Sequence, residues 1–353
     1  MGAPARVCLH IGPYKTGTTY LQHILWRNRA ALADADVLVP RESWVAQRRA
    51  VSQLMKRPAG VPGRRPPRRR RPRDPWDRLL DEVAASGAGT VLLSVERLCL
   101  AEPHTVAALV ESFAPAQVKV VYAARDLARV VPAEWQTRLR NRWSPTWREF
   151  IDSIREPAGV DSHGGSFWRR HDPAQVLPPW LAHIPRDQVH VLTVPPPGRP
   201  PELLWDRFCA VLGLEPDRYD LDVPRANMSL GGVESEVLRR LSARVGARLP
   251  LPAYVDLVNH FVAREVLERR AQSFRLVLPA AELAWLTPRA DAAVGYLREL
   301  GLPVEGDLDD LVPVAEPGAR TPDDVEEVEV LALVEQVLGA ALVELARRQE
   351  VGC

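Results

Sequence analysis

The run LHIGPYKTGTT, Leu9–Thr19, restricts this chain more than any other stretch. It follows an apolar segment with the character of a strand, RVCLHIG, and leads into a segment with Leu21, Ile24 and Leu25 at helical spacing. Gly12 and Gly17 keep the separation found in the phosphate-binding loop GxxxxGK[ST], in which the Lys comes directly after the second glycine. Here Thr18 fills that place and Lys15 stands inside the loop, two residues ahead of Gly17. A glycine turn joining a strand to a helix start offers amides and partial positive charge to an anion. The Lys15 ammonium would meet that anion from a different direction than in a nucleoside-triphosphate site.

Strand and helix patterns alternate beyond the loop. TVLLSVE (Thr90–Glu96), VKVVYAAR (Val118–Arg125) and VHVLTV (Val189–Val194) read as strands, and each is followed by a helical pattern. The helices expected are Thr18 to Ala33, HTVAALVESFA, Leu127 to Asn141, and PELLWDRFCAVLGL. This predicts a three-layer α/β, P-loop-like fold with a mainly parallel central sheet, whose carboxyl edge is where ligands of such sheets bind. From Gly231 onward the patterns are helical, which divides the chain into an α/β core, 1–230, and a helical C-terminal region, 231–353, packed on the core or extending it. The terminal helix is expected from Thr321–Pro322 and its acids to Arg347 and Arg348, ends that suit the helix dipole. Its broad apolar face calls for cover by its own domain or a second subunit, and the oligomeric state stays open.

The net charge of +1 hides an asymmetry. Residues 56–73, KRPAGVPGRRPPRRRRPR, carry nine basic side chains and no acid, leaving the remainder near −8 (+1 minus 9). A segment so poor in apolar residues cannot fold alone, so 56–75 is expected to be a flexible loop. It could contact nucleic acid, hold an anionic acceptor, or be a solvated insertion. Nucleic-acid binding is not expected, since no aromatic platform or recognition fold accompanies the arginines. The four cysteines form no CxxC pair, so neither zinc nor a disulfide framework is suggested. Without a secretory signal pattern or a membrane-length apolar stretch, a soluble cytoplasmic protein is expected. The chain has 43 Arg and three Lys, Lys15, Lys56 and Lys119. Such a bias makes the retention of Lys in the loop an argument for a compact ammonium there.

IGPYKTGTTYLQ resembles the 5′-phosphosulfate-binding loop of sulfotransferases that use 3′-phosphoadenosine 5′-phosphosulfate (PAPS), above all bacterial members with KTGTT followed by LQ. VVYAARDLARVVPAEWQ resembles their second signature, and weaker likeness in LLSVERL and RANMSL extends the resemblance over Arg6 to Ser229. It implies that Gly12, Tyr14, Lys15, Thr16, Gly17, Thr18 and Thr19 hold the 5′-phosphosulfate, and that Lys15 stabilises the departing phosphate. Arg125 would bind the 3′-phosphate, with Arg129 one turn along; Asn227 and Ser229 would close over the 3′-phosphate or adenine. No metal is implied. Many members carry Ser eight residues after the Arg, where this chain has Ala133. Glu96, at a neighbouring strand end, is the candidate general base, with His163 and His171 in reserve and His10 read as a packed strand residue. The acceptor would be a hydroxyl or amine of a small molecule or of a carbohydrate or glycolipid, with RLRNRWSPTWREF and GGSFWRRHD as candidate lining. The rival readings are a P-loop kinase or NTPase, a nucleic-acid-binding protein built on the arginines, and an inactive nucleotide-binding relative.

Overall fold

In the computed structural model, which describes residues 4–60, 74–223, 229–270, 273–314 and 319–351, the chain is organised on one parallel sheet. Its strands are β1 (Arg6–His10), β2 (Val37–Leu38), β3 (Thr90–Ser94), β4 (Gln117–Ala124), β5 (Val189–Thr193) and β6 (Val304–Glu305), in the order β2-β3-β1-β4-β5-β6. Every pairing is parallel. The four expected strands are β1, β3, β4 and β5. The edge strands β2 and β6 are two residues each, too short to show any alternation in sequence.

Successive side chains feed two separate cores. Val7, Leu9, Val91, Leu93, Val120 and Tyr122 pack with side chains of the helices Trp44–Met55, Pro75–Ser86 and Pro103–Phe113. Cys8, Leu92, Val121, Ala123 and Leu192 pack with α1 (Thr18–Arg27), α2 (Arg29–Asp34) and the helix Leu203–Leu212. Burial on both faces explains why the strands read as nearly continuous apolar runs. The architecture is therefore three-layer α/β with a helical C-terminal part.

Three local expectations are corrected. The first helix ends at Arg27, because the Asn28 side-chain Nδ2 donates to the Ile24 carbonyl at 2.9 Å and to the Asp220 carbonyl at 2.8 Å, in competition with continued helix. β3 ends at Ser94, and Glu96 opens a 3₁₀ turn, Glu96–Leu100, rather than closing the strand. Thr321 caps a short 3₁₀ turn, Pro322–Asp324, because Asp324 folds back on the Thr321 amide at 2.7 Å; the terminal helix starts later and spans Glu327–Val351.

The chain divides into two units. The first comprises Met1–Asp126, Ser166–Ala226 and Arg289–Val312, and holds the sheet. In it, Arg207 donates to the Thr193 carbonyl at 2.8 Å and to Asp310 at 2.6 Å, tying the end of β5 to the turn after β6. Asp74 caps the helix Pro75–Ser86 and also accepts from Arg57 at 2.7 Å, while Arg57 reaches Asp77 at 3.0 Å. The basic run thus contributes Arg57 to the fold as a buried ion pair, whereas 61–73 lie outside the described residues.

The second unit, Leu127–Gly165, Asn227–Pro288 and Pro313–Cys353, is helical, built on Leu127–Arg140, Gly232–Val245, a π-helix at Val255–Leu267 and the terminal helix. Several of its buried polar groups find partners within the unit. Glu234 accepts from Arg270 and Ser273, Gln136 donates to the Leu230 carbonyl at 2.6 Å, and Ser242 and Tyr254 share the Leu139 carbonyl. No described helix is long and apolar enough to cross a membrane.

The Arg207–Asp310 pair yields a stability prediction. Asp310→Ala leaves a mostly buried guanidinium short of its carboxylate and should lower the unfolding free energy by about 3 kcal/mol, read from urea melts. Asp310→Asn, which keeps one acceptor, should lose less.

Candidate functional site

Chain order reverses around β1, which lies between β3 and β4, so the carboxyl ends of these three strands border the crevice where open α/β sheets bind ligands. The loop leaving β1 is fixed here by its backbone. Gly12, Lys15 and Gly17 have φ of 85°, 67° and 81°, all left-handed. At Gly12 close approach demands glycine as well, since a Cβ there would lie 2.8 Å from Glu96 Cα; one on Gly17 would displace the Leu204 Cδ2 methyl, 2.4 Å away. Lys15 accepts the left-handed conformation at a cost of about 1 kcal/mol, the kind of strain that functional loops retain.

Three carbonyls of this loop are held by hydrogen bonds. The Ala123 amide donates to the Gly12 carbonyl at 2.7 Å, Thr16 Oγ1 to the Pro13 carbonyl at 2.6 Å, and Arg125 Nη1 to the Lys15 carbonyl at 2.8 Å. α1 then starts without a side-chain cap, and its first backbone bond runs from the Leu21 amide to the Gly17 carbonyl at 3.2 Å. The amides ahead of that bond have no carbonyl within the helix, so they carry the positive end of its dipole. Lys15 and Tyr14 are half-buried, Thr16 and Thr18 buried.

Glu96 stands beside Gly12 and is held in place. Gln22 Nε2 donates to Glu96 Oε2 and to the Ser94 carbonyl, each at 3.0 Å. Gln47 accepts from the Ser94 amide at 2.7 Å, and Ser94 Oγ bonds His10 Nδ1 at 2.9 Å. Three buried polar side chains thereby fix the end of β3 from α1, from the helix Trp44–Met55 and from β1. Sequence reasoning gave Gln22 no role; its i+4 spacing from Thr18, on the same face of α1, was the available signal.

Other side chains frame the loop. The Arg170 guanidinium lies 6.0 Å from the Tyr14 ring centre and donates to Ser166 Oγ at 2.9 Å. Burial pushes the Tyr14 phenol well above its ordinary range, so it stays protonated. Lys119 donates to the Val211 carbonyl at 2.9 Å near the C-terminal end of its helix, a structural role, and Lys56 ends the helix Trp44–Met55.

The remaining sequence candidates are distributed differently. Arg129 and Ser229 belong to the second unit, and Asn227 lies outside the described residues. His163, in the second unit, is exposed and stacks on Trp143 at 4.4 Å, and its pKa is lowered by partial burial and by Arg138. His171 is buried against Phe167. Trp147 and Phe150 of the first aromatic run are buried packing residues, as are Phe167 and Trp168 of the second.

No family model and no curated protein matches the chain. Among solved structures, a sulfotransferase from Alicyclobacillus acidocaldarius is similar at 19% identity, with 72% of this chain and 99% of that one covered and a TM-score of 0.38. A likeness at that level carries no weight for function, which has to be argued from the residues of this chain.

His10 supplies a pH prediction. Burial lowers its pKa from 6.5 to about 4, so below pH 6.5 the unfolded chain takes up a proton that the folded chain refuses. The contribution is full above pH 6.5 and is lost as pH falls to about 4, a total of about 3 kcal/mol. Urea unfolding followed across that window should fall more steeply in the wild type than in His10→Asn; equal slopes would contradict the assignment.

Proposed function

We propose that this protein is a sulfotransferase that moves the sulfuryl group of PAPS to a hydroxyl or amine of a small-molecule or carbohydrate acceptor. One observation carries the reading. Residues from the ends of three adjacent strands meet at one glycine turn: Lys15 within it, Glu96 against its first glycine, and Arg125 on the Lys15 carbonyl. The donor set fits a phosphosulfate: helix-start amides, two threonine hydroxyls and one ammonium suit a compact anion, and the carbonyls of Gly12, Pro13 and Lys15 are taken up by hydrogen bonds.

In this reading the amides of Tyr14 to Thr19 and the hydroxyls of Thr18 and Thr19 hold the 5′-phosphosulfate. PAPS, when bound, supplies an activated sulfuryl group. Lys15 neutralises charge on the phosphate side, in the position that a nucleoside-triphosphate loop leaves without a lysine. Glu96 takes the proton of the acceptor, and Gln22 keeps its carboxylate turned toward the loop. Arg125 has two duties, since the guanidinium that meets the 3′-phosphate also fixes the strained Lys15. Positioning and charge stabilisation do the work, as in phosphoryl transfer.

Transfer of labelled sulfuryl from PAPS to a panel of hydroxyl and amine acceptors tests this. Glu96→Gln should lower turnover about 100-fold while nucleotide affinity stays within about twofold. Lys15→Ala should lose about 100-fold as well. Gln22→Met should reduce kcat about tenfold with KM unchanged, because it frees the base without touching the donor. A wild-type protein that binds the donor and sulfurylates none of the panel would be a nucleotide-binding protein, not a transferase.

A further inference from the structure

The terminal helix Glu327–Val351 buries Val330 and Leu333, yet leaves a second apolar line in solvent. Leu331, Val334, Leu338, Leu342 and Leu345 are 55%, 41%, 58%, 59% and 55% exposed. At 3.6 residues per turn they fall within an arc of about 80°. Five large apolar side chains in one stripe are more than scattered exposure, and they need a partner surface.

The order of the stripe indicates the partner. Its successive gaps are three, four, four and three residues, a palindrome centred on Leu338. Turned about a two-fold axis through Leu338, the helix meets an antiparallel copy of itself with Leu338 on Leu338, Val334 on Leu342 and Leu331 on Leu345. That is the self-complementarity a two-fold interface demands, where i touches j and j touches i. The eleven-residue steps from Leu331 to Leu342 and from Val334 to Leu345 also keep the stripe on one side of a nearly straight helix.

Charge agrees with the antiparallel sense: it keeps the acid-rich starts of the two helices, Glu326, Glu327 and Glu329, apart, whereas a parallel pair would bring acids against acids. The helix dipoles also oppose favourably. At the start of the helix, Glu327 accepts two bonds from Arg240, at 2.8 and 2.7 Å; toward its end, Arg348 donates to Asp256 at 2.7 Å. The stripe is thus presented on a helix fixed to its unit at both ends.

We infer that the chain forms a two-fold dimer through antiparallel pairing of its terminal helices, with Leu338 on the axis.

Sedimentation of the full chain should give a mass near twice 39.3 kDa. Leu338→Glu, which faces two like charges across the axis, should halve it while the thermal melt keeps a folded transition. Oxidative cross-linking, in a Cys353→Ser background, reads the register independently. Leu338→Cys should link to its own copy. Leu331→Cys should not, but should link when mixed with Leu345→Cys. A monomeric wild type, a dimer that survives Leu338→Glu, or self-linking of Leu331→Cys would each overturn the inference.

Discussion

The contact on which the site depends is the approach of the Gly12 backbone to Glu96. No side-chain carbon separates the loop after β1 from the turn after β3, since a Cβ there would come within 2.8 Å of Glu96 Cα. This closeness seats Glu96 against the glycine turn, and Gln22 holds its carboxylate from α1. It also explains why Glu96 leaves the strand for a 3₁₀ turn: two residues beyond Ser94, the chain bends across the loop.

Once the turn is in place, the surrounding hydrogen bonds select its polarity. Ala123, Thr16 and Arg125 take up carbonyls of Gly12, Pro13 and Lys15, so the oxygens that would repel an anion are bound to the scaffold. Helix-start amides and the Lys15 ammonium supply the opposite charge. A single guanidinium, Arg125, links strain in the loop to charge at the end of β4. Behind the turn, His10, Gln22 and Gln47 hold Ser94 from three elements, and this buried polar network fixes the end of β3 in a way that apolar packing alone would not.

The sequence disclosed the parts of this arrangement that have a period or a backbone requirement. Strands buried on both faces appear as apolar runs, and Gly12 and Gly17 mark a turn whatever lies around them. Two-residue edge strands carry no period, so β2 and β6 were invisible. The breaks at Asn28 and after Asp324 arise from side chains returning to the backbone, which spacing does not reveal. Gln22 was legible as part of a motif but not as the support of Glu96, because a hydrogen bond spanning 74 residues depends on the packing of α1 against β3. Arg57 looked like one more member of a solvated basic run, whereas its carboxylate partners, 17 and 20 residues away, draw it into the fold.

The central claim is that the loop is built for a 3′-phosphorylated sulfate donor and not for a nucleoside triphosphate. Calorimetric titration of the wild-type protein with 3′-phosphoadenosine 5′-phosphate, and separately with ATP and magnesium, tests it most directly. The account predicts saturable binding of the 3′-phosphorylated nucleotide and none of magnesium-ATP. Preference for magnesium-ATP, or binding of neither, would contradict it.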